Sequence, residues 1–227
     1  PHWRFKLNST PITWNDLAHG TLTFEGHNLS DPVVIREDGI PLFTFSGMVD
    51  DMDMGITHIV RGDDHITNTA IQIQILEALG GNPKDFTFAH MPLIVGSQGE
   101  SLSKRLGSLS LVDLKEQGFE ALSLCNYLAG LGMSEELPIC LSVEELAKTF
   151  VLEKLGRSTP RFDEIELMHM NAKLLHHMTL NQIQPRLKSL GIQGVTEDFW
   201  DTIKSNLNTL ADIKPLQDIC FGEITPR

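Results

Sequence analysis

The sequence predicts an α/β unit that runs into an all-helical continuation, and three observations carry that expectation. Short β-branched and aromatic runs, punctuated by Gly, Asn, Asp and Pro, fill residues 1–49. A strand, helix, strand rhythm follows over 50–95, and beyond Ser101 the apolar spacing becomes helical and stays so.

The opening PHWRFKL alternates apolar and basic residues as an entering strand does; it has neither an initiator Met nor a signal-peptide pattern and reads as an internal start. TLTFEG, PVVIRED and PLFTF have strand composition. Asp38-Gly39 lies between the last two as a hairpin-turn pair, which predicts two antiparallel strands. Ile56 to Val60 reads as a short apolar strand ending on Arg61, Asp63, Asp64 and His65. Ile71, Ile75 and Leu79 then recur at helical spacing behind Thr67, a suitable N-cap, and Gly80-Gly81 with Pro83 supplies the stop. Met91 to Val95 suits a buried parallel strand, completing a β-α-β unit with a right-handed crossover.

The Gly96 to Gly99 loop is the expected boundary between the α/β and helical parts. Past it, Ser110 with Asp113 and Ser142 with Glu145 have capping-box spacing, and Leu141 and Leu146 that of a hydrophobic staple. Ala121, Leu124, Leu128 and Leu131 form the apolar stripe of a helix that Gly132 ends. FDEIELMHMNAKLL and LNQIQPRLKSLG continue the helical run, Pro185 marking a start, kink or boundary.

A chain of 227 residues with 41% hydrophobic content can bury one large core or two, and no apolar run approaches the ~20 residues of a membrane span. A soluble protein with no membrane partner is expected. Cys125, Cys140 and Cys220 are odd in number and lack CxxC spacing, which suggests neither a disulfide framework nor structural zinc and fits a reducing cytoplasm. The net charge of −12 weighs against nucleic-acid binding, although Lys104, Arg105, Lys154, Arg157 and Arg161 form either a local basic face or scattered solvated cations.

Charged residues at a strand's carboxyl end mark a place for chemistry in parallel α/β sheets. Arg61 there is either a fork for a substrate carboxylate or a salt-bridge partner of Asp63 or Asp64. The acidic set Asp50, Asp51, Asp53, Asp63 and Asp64 is read as turns and caps rather than a metal cage, and no metal ligand is assigned. His58 is read as an ordinary strand residue; His65 stands at a helix entrance, where it can touch substrate. Adjacent His176 and His177 cannot share a helical face. SLSKR, Ser101 to Arg105, is either an exposed basic loop or a phosphate grip whose Lys follows the charge of a leaving pyrophosphate.

The succession PLFTFSGMVDDMDMGITHIVRGDDHITNT, HMPLIVGSQGESLSKRLGSLSL, GFEALSLCNYLAGLGMS and RFDEIELMHMNAKLL resembles a bacterial glutamyl-tRNA synthetase, a class I aminoacyl-tRNA synthetase, over most of the chain and in the family's order. The resemblance implies the C-terminal half of a Rossmann-type catalytic domain with a β-rich insertion tail, followed by an α-helical stem-contact domain. Residues 1–45 would end the acceptor-stem-binding insertion and 46–97 form the second half of the catalytic domain. Residues 98–178 would hold the KMSKS-type loop and stem-contact helices, and 179–227 begin the anticodon-binding region. It also implies a glutamate–tRNA ligase that makes glutamyl-adenylate from ATP and glutamate and passes the acyl group to the tRNA terminal ribose. Mg²⁺ would accompany the ATP, tRNA for glutamate, for glutamine or for both would be the partner, and a cytoplasmic monomer is expected.

By the same resemblance Arg61 reads glutamate, with Phe43 and Gly47 beside it, and Asp64 and His65 match positions next to the amino acid and the adenosine or tRNA end. Leu102, Ser103, Lys104 and Arg105 match the KMSKS-type loop, with Lys104 and Ser103 as the catalytic pair on ATP phosphates. Phe43 stands where the family often has Tyr, Gly47 where some relatives have Asn, and Ser101 where the loop's first Lys is usual. The His-Ile-Gly-His-type ATP motif and an N-terminal glutamate-reading Arg do not occur in this sequence, so the segment alone is expected to be inactive. A glutaminyl enzyme and a non-catalytic tRNA-binding module derived from a synthetase remain as alternatives.

Overall fold

The computed structural model describes residues 1–102 and 110–222. Two compact units emerge, Pro1–Leu93 with Leu152–Thr159, and Ile94–Val151 with Pro160–Arg227. Among the described residues no helix is long and apolar enough to cross a membrane.

The first unit is built on a four-stranded mixed sheet. Strands β1 (Trp3–Arg4), β2 (Ile12–Asp16), β3 (Gly20–Phe24) and β4 (Val33–Ile35) come first, then β5 (His58–Gly62) and β6 (Thr87–Met91). The sheet order is β3-β2-β6-β5: β2 and β3 pair antiparallel, while β6 runs parallel to β2 and β5. Residues read as a β-rich tail therefore share one sheet with the β-α-β unit. β1 and β4 form a separate antiparallel pair.

Helix α1 (Phe43–Asp53) replaces the strand expected from PLFTF. The Asp38-Gly39 turn does form, with Gly39 at φ 83°, but its second arm is only an Ile35–Pro41 bridge before Leu42 caps the helix. Phe45, Met48 and Met52 explain the outcome, because their helical spacing lays them in one core with Val34, Ile75 and Leu76. Helix α2 (Ile66–Ala78) starts after a 3₁₀ turn, Asp63–His65, so the capping position is His65 and not Thr67. α2 is buried on nearly all sides: Ala70 and Ile73 meet Ile12, Trp14 and Phe88 on the sheet, while Ile75 and Leu76 meet Met48 of α1. Burying each such side chain contributes roughly 1.5–3 kcal/mol.

The buried parallel strand is Thr87–Met91 rather than Met91–Val95. Pro92 cannot donate to a ladder and ends it. Val95–Gly96 is instead β7, paired with β8 (Arg161–Phe162) in the second unit.

The second unit is helical: α3 (Leu111–Glu116), α4 (Ala121–Gly132), α5 (Val143–Thr149), α6 (Glu164–His177), α7 (Leu180–Ser189), α8 (Glu197–Ile203) and α9 (Ile213–Phe221). Ser110 and Asp113 close the expected capping box, whereas Ser142 caps α5 but Glu145 turns to the Leu141 N–H. Of the stripe expected on α4, Leu124 and Leu131 pack against the core around Tyr127, whereas Ala121 and Leu128 are exposed and the fully buried residues are Ser123, Asn126 and Tyr127. Pro185 neither starts nor breaks a helix but lies inside α7, which begins at a Thr179–Gln182 capping box. Trp200, Leu207, Leu210 and Ile213 pack with Leu175 and Ile183 in one core.

Candidate active site

Parallel pairing of β5 and β6 sets Arg61 opposite His90, so both side chains leave the same face of the sheet. On α2, Thr69 and Gln72 are three residues apart and therefore share the face that meets them. Arg61 Nη2 donates to Thr69 Oγ1 at 2.5 Å and to Gln72 Oε1 at 2.6 Å, and Nε donates to His90 Nε2 at 3.4 Å. Every partner is neutral. The expected alternative, an ion pair with Asp63 or Asp64, does not form.

Both Nη2 hydrogens are thus engaged inside the protein, which corrects the expectation of a freely presented two-pronged fork. Nη1 keeps its hydrogens without a protein acceptor among the described residues. Burial pushes the guanidinium pKa down, and the charges of Asp51 and Asp64 only partly restore it. Burial likewise pushes the Asp51 carboxyl up, Arg61 pulls it back, and Asp50 adds to the rise. An Arg side chain stays protonated in a protein, so a largely uncompensated positive charge is held in place.

The support extends one residue deeper. His90 is fully buried, its Nδ1 is 2.6 Å from Asp16 Oδ2, and its Nε2 is 2.9 Å from Thr69 Oγ1. Because Arg61 can only donate, Nε2 must accept and the ring proton sits on Nδ1, toward Asp16. Asp16 Oδ1 also accepts the backbone N–H groups of Ala18 (3.0 Å), His19 (3.1 Å) and His90 (3.3 Å). Burial pushes the Asp16 carboxyl up, but the His90 ring and these backbone donors outweigh it and hold it below the ordinary range.

Phe43, the first residue of α1, turns its ring edge to His65 with centroids 5.6 Å apart. Gly47 lies one turn along: a Cβ there would sit 3.7 Å from the Phe43 ring and 3.8 Å from Gln72 Nε2, and so would touch without clashing. Arg61, Phe43, Gly47 and His65 are therefore brought together around Gln72. Asp64 stays beside the His65 ring at 3.8 Å, and Asp63 Oδ1 is 2.8 Å from His19 Nε2, which ties the 3₁₀ turn to the loop after β2. His58 is exposed and meets the Thr57 hydroxyl. Asp16, Thr69, Gln72 and His90 carry little signal of their own in the sequence: α2 also bears Thr67, Asn68, Gln74 and Glu77, and only its packing separates the pair that meets Arg61.

Leu102 belongs to the second unit, where it lines an open apolar hollow with Ile94, Leu124, Leu128 and Phe162. Ser103, Lys104 and Arg105 lie outside the described residues. Among the described residues, no group of His, Cys, Asp or Glu side chains could hold a metal ion.

Residues 2–169 match the family model of the class I tRNA synthetases (E and Q), catalytic domain. A glutamate–tRNA ligase of Azospirillum brasilense is 46% identical over the whole chain, and glutamate–tRNA ligase 2 of Hyphomonas neptunium 41% identical. The chain spans about half the length of the curated relatives it matches, 50% for both of these. Among solved structures, a glutamate–tRNA ligase from Elizabethkingia meningosepticum in complex with its amino acid superimposes on 95% of the chain, with a TM-score of 0.78 and 26% identity, and covers 48% of that protein. Glutamate–tRNA synthetase of Elizabethkingia anophelis gives a TM-score of 0.76 at 26% identity, over 93% of the chain and 48% of its own.

Proposed function

Because the chain belongs to the class I tRNA synthetases of the glutamate and glutamine type, we propose that it is the part of a glutamate–tRNA ligase that reads the amino acid's carboxylate. The whole protein would activate glutamate with ATP, releasing pyrophosphate, and transfer the glutamyl group from the adenylate to the tRNA terminal ribose. One observation carries this reading: Arg61 is oriented by neutral partners alone, with Nη1 and its charge available. A carboxylate answers that charge, whereas the amide of glutamine is neutral and offers one oxygen. The Phe43 and His65 rings would border the bound amino acid, with Gly47 leaving room, and Asp64 would lie toward the adenosine or tRNA end.

Lys104 and Ser103, with Leu102 and Arg105, would form the phosphate loop, and Mg²⁺ would accompany the ATP. Catalysis of this kind is positioning and charge stabilisation, with no covalent enzyme nucleophile required. We propose residues 1–45 as the end of a stem-binding insertion, 46–97 as the second half of the catalytic domain, 98–178 as loop and stem-contact helices, and 179–227 as the entry to the anticodon-binding region. Cytoplasmic localisation, a monomer, and tRNA for glutamate or glutamine as partner complete the reading.

The test uses the complete protein in ATP–pyrophosphate exchange with tRNA present. Arg61→Ala is expected to lose glutamate-dependent exchange and Lys104→Ala to lose it through ATP; near-wild-type exchange by both would overturn the assignment.

A further inference from the structure

The Arg61 geometry leaves a gap that one more residue fills. With both Nη2 hydrogens bound to Thr69 and Gln72, and Nε facing His90, the guanidinium offers a carboxylate only Nη1. Two-point recognition then needs a second donor from elsewhere. Gln72 is 2% exposed, and its orientation is decided by chemistry: Arg61 cannot accept, so Oε1 must be the atom facing it and Nε2 must point away.

Nε2 has no protein acceptor among the described residues. It is also not one of the sealed, unpartnered polar atoms, which are Trp14 Nε1, Glu120 Oε1 and His176 Nε2. The amide nitrogen therefore reaches accessible space, on the side of Gly47, whose missing Cβ would sit 3.8 Å from it. This donor lies one amide width from the Arg61 contact and beside Gly47 and Phe43, from where it can meet the second oxygen of a carboxylate that Nη1 holds.

We propose that Gln72 is a substrate-binding and specificity-determining residue: Oε1 fixes Arg61, and Nε2 donates to the side-chain carboxylate of the amino acid beside Gly47. The inference rests on the proposed glutamate-reading role of Arg61.

Steady-state exchange by the complete protein, with glutamate and ATP varied separately, tests it. Gln72→Met keeps the volume but removes both polar atoms; the KM for glutamate should rise about 10- to 100-fold, as for a lost hydrogen bond to a charged group, with the KM for ATP unchanged. Gln72→Glu keeps an acceptor for Arg61 but removes the donor and sets a carboxylate against the guanidinium, so glutamate use should fall further than in Gln72→Met; the rescue that follows separates a lost donor from a misplaced Arg61. Gly47→Asn placed in the Gln72→Met background offers an amide from α1 at a position whose Cβ would be in ordinary contact with its neighbours, and should recover part of the glutamate KM. Wild-type-like glutamate KM in Gln72→Met, or full activity in Gln72→Glu, would overturn the proposal. So would matched losses for glutamate and ATP with no rescue by Gly47→Asn. If the wild-type protein fails to activate glutamate, or Arg61→Ala is unaffected, the underlying reading fails first.

Discussion

Arg61 and Arg186 are both half-buried guanidinium groups, one in each unit, and their surroundings differ in one respect. Arg186 on α7 has a carboxylate: its Nε lies 3.4 Å from Glu120 Oε1, an ionic contact without hydrogen-bond alignment. Its remaining donors meet the carbonyls of Lys115 and Phe119 and the Ser189 hydroxyl. Burial pushes the Glu120 carboxyl up, and Arg186 draws it partly back. Arg61 has only a hydroxyl, an amide oxygen and an imidazole nitrogen, and no carboxylate in ion-pair contact. A cation whose charge is met within the fold is doing structural work, while a cation fixed by neutral groups keeps its charge for something that arrives.

The comparison breaks most visibly under paired truncation. Arg61→Ala in the complete protein should weaken glutamate activation by about 2–5 kcal/mol, the range for removing one side of a close charge contact, with a smaller change in the midpoint of thermal unfolding. Arg186→Ala should do the reverse. Leaving Glu120 buried beside the α3–α4 connection should cost about 3 kcal/mol of stability, seen as a lower unfolding midpoint, with the KM for glutamate unchanged. If both substitutions move both readouts together, the distinction between the two arginines is lost.

A smaller effect sharpens the Arg61 side through pH. Asp16 is held below its ordinary value of 3.8, so it binds fewer protons in the folded state than in the unfolded state over that window. Its contribution to stability is present above the unfolded value and is lost as pH falls through the folded one. Asp16→Asn should therefore flatten the decline in unfolding midpoint below about pH 4, and an unchanged acid limb would remove Asp16 from the network's support. The smallest effect belongs to the second unit: Ser110→Ala, which opens the α3 capping box, should cost about 1 kcal/mol and leave glutamate kinetics alone.

What could be read from the sequence divides along the same physical line. Capping boxes at Ser110 and Thr179 depend on partners three residues away, and the first of these was visible in the residue order; so was the Asp38-Gly39 turn. Arg61, Phe43, Gly47 and His65 were picked out one by one, and the fold does gather them. Their connection through Gln72 was hidden, because it depends on the phase of α2 against the β5–β6 register. Asp16 was missed altogether: β2 was not recognised as a strand, and its contact with His90 spans 74 residues of sequence. PLFTF misled because its composition favours strand, while the deciding fact is the spacing of Phe45, Met48 and Met52 against a core assembled from elsewhere.

The most direct test of a charge held for a carboxylate is discrimination between glutamate and glutamine. In the complete protein, kcat/KM for the two amino acids should strongly favour glutamate, and Arg61→Ala should collapse that ratio toward unity by losing glutamate selectively. A ratio that survives the substitution would contradict the account.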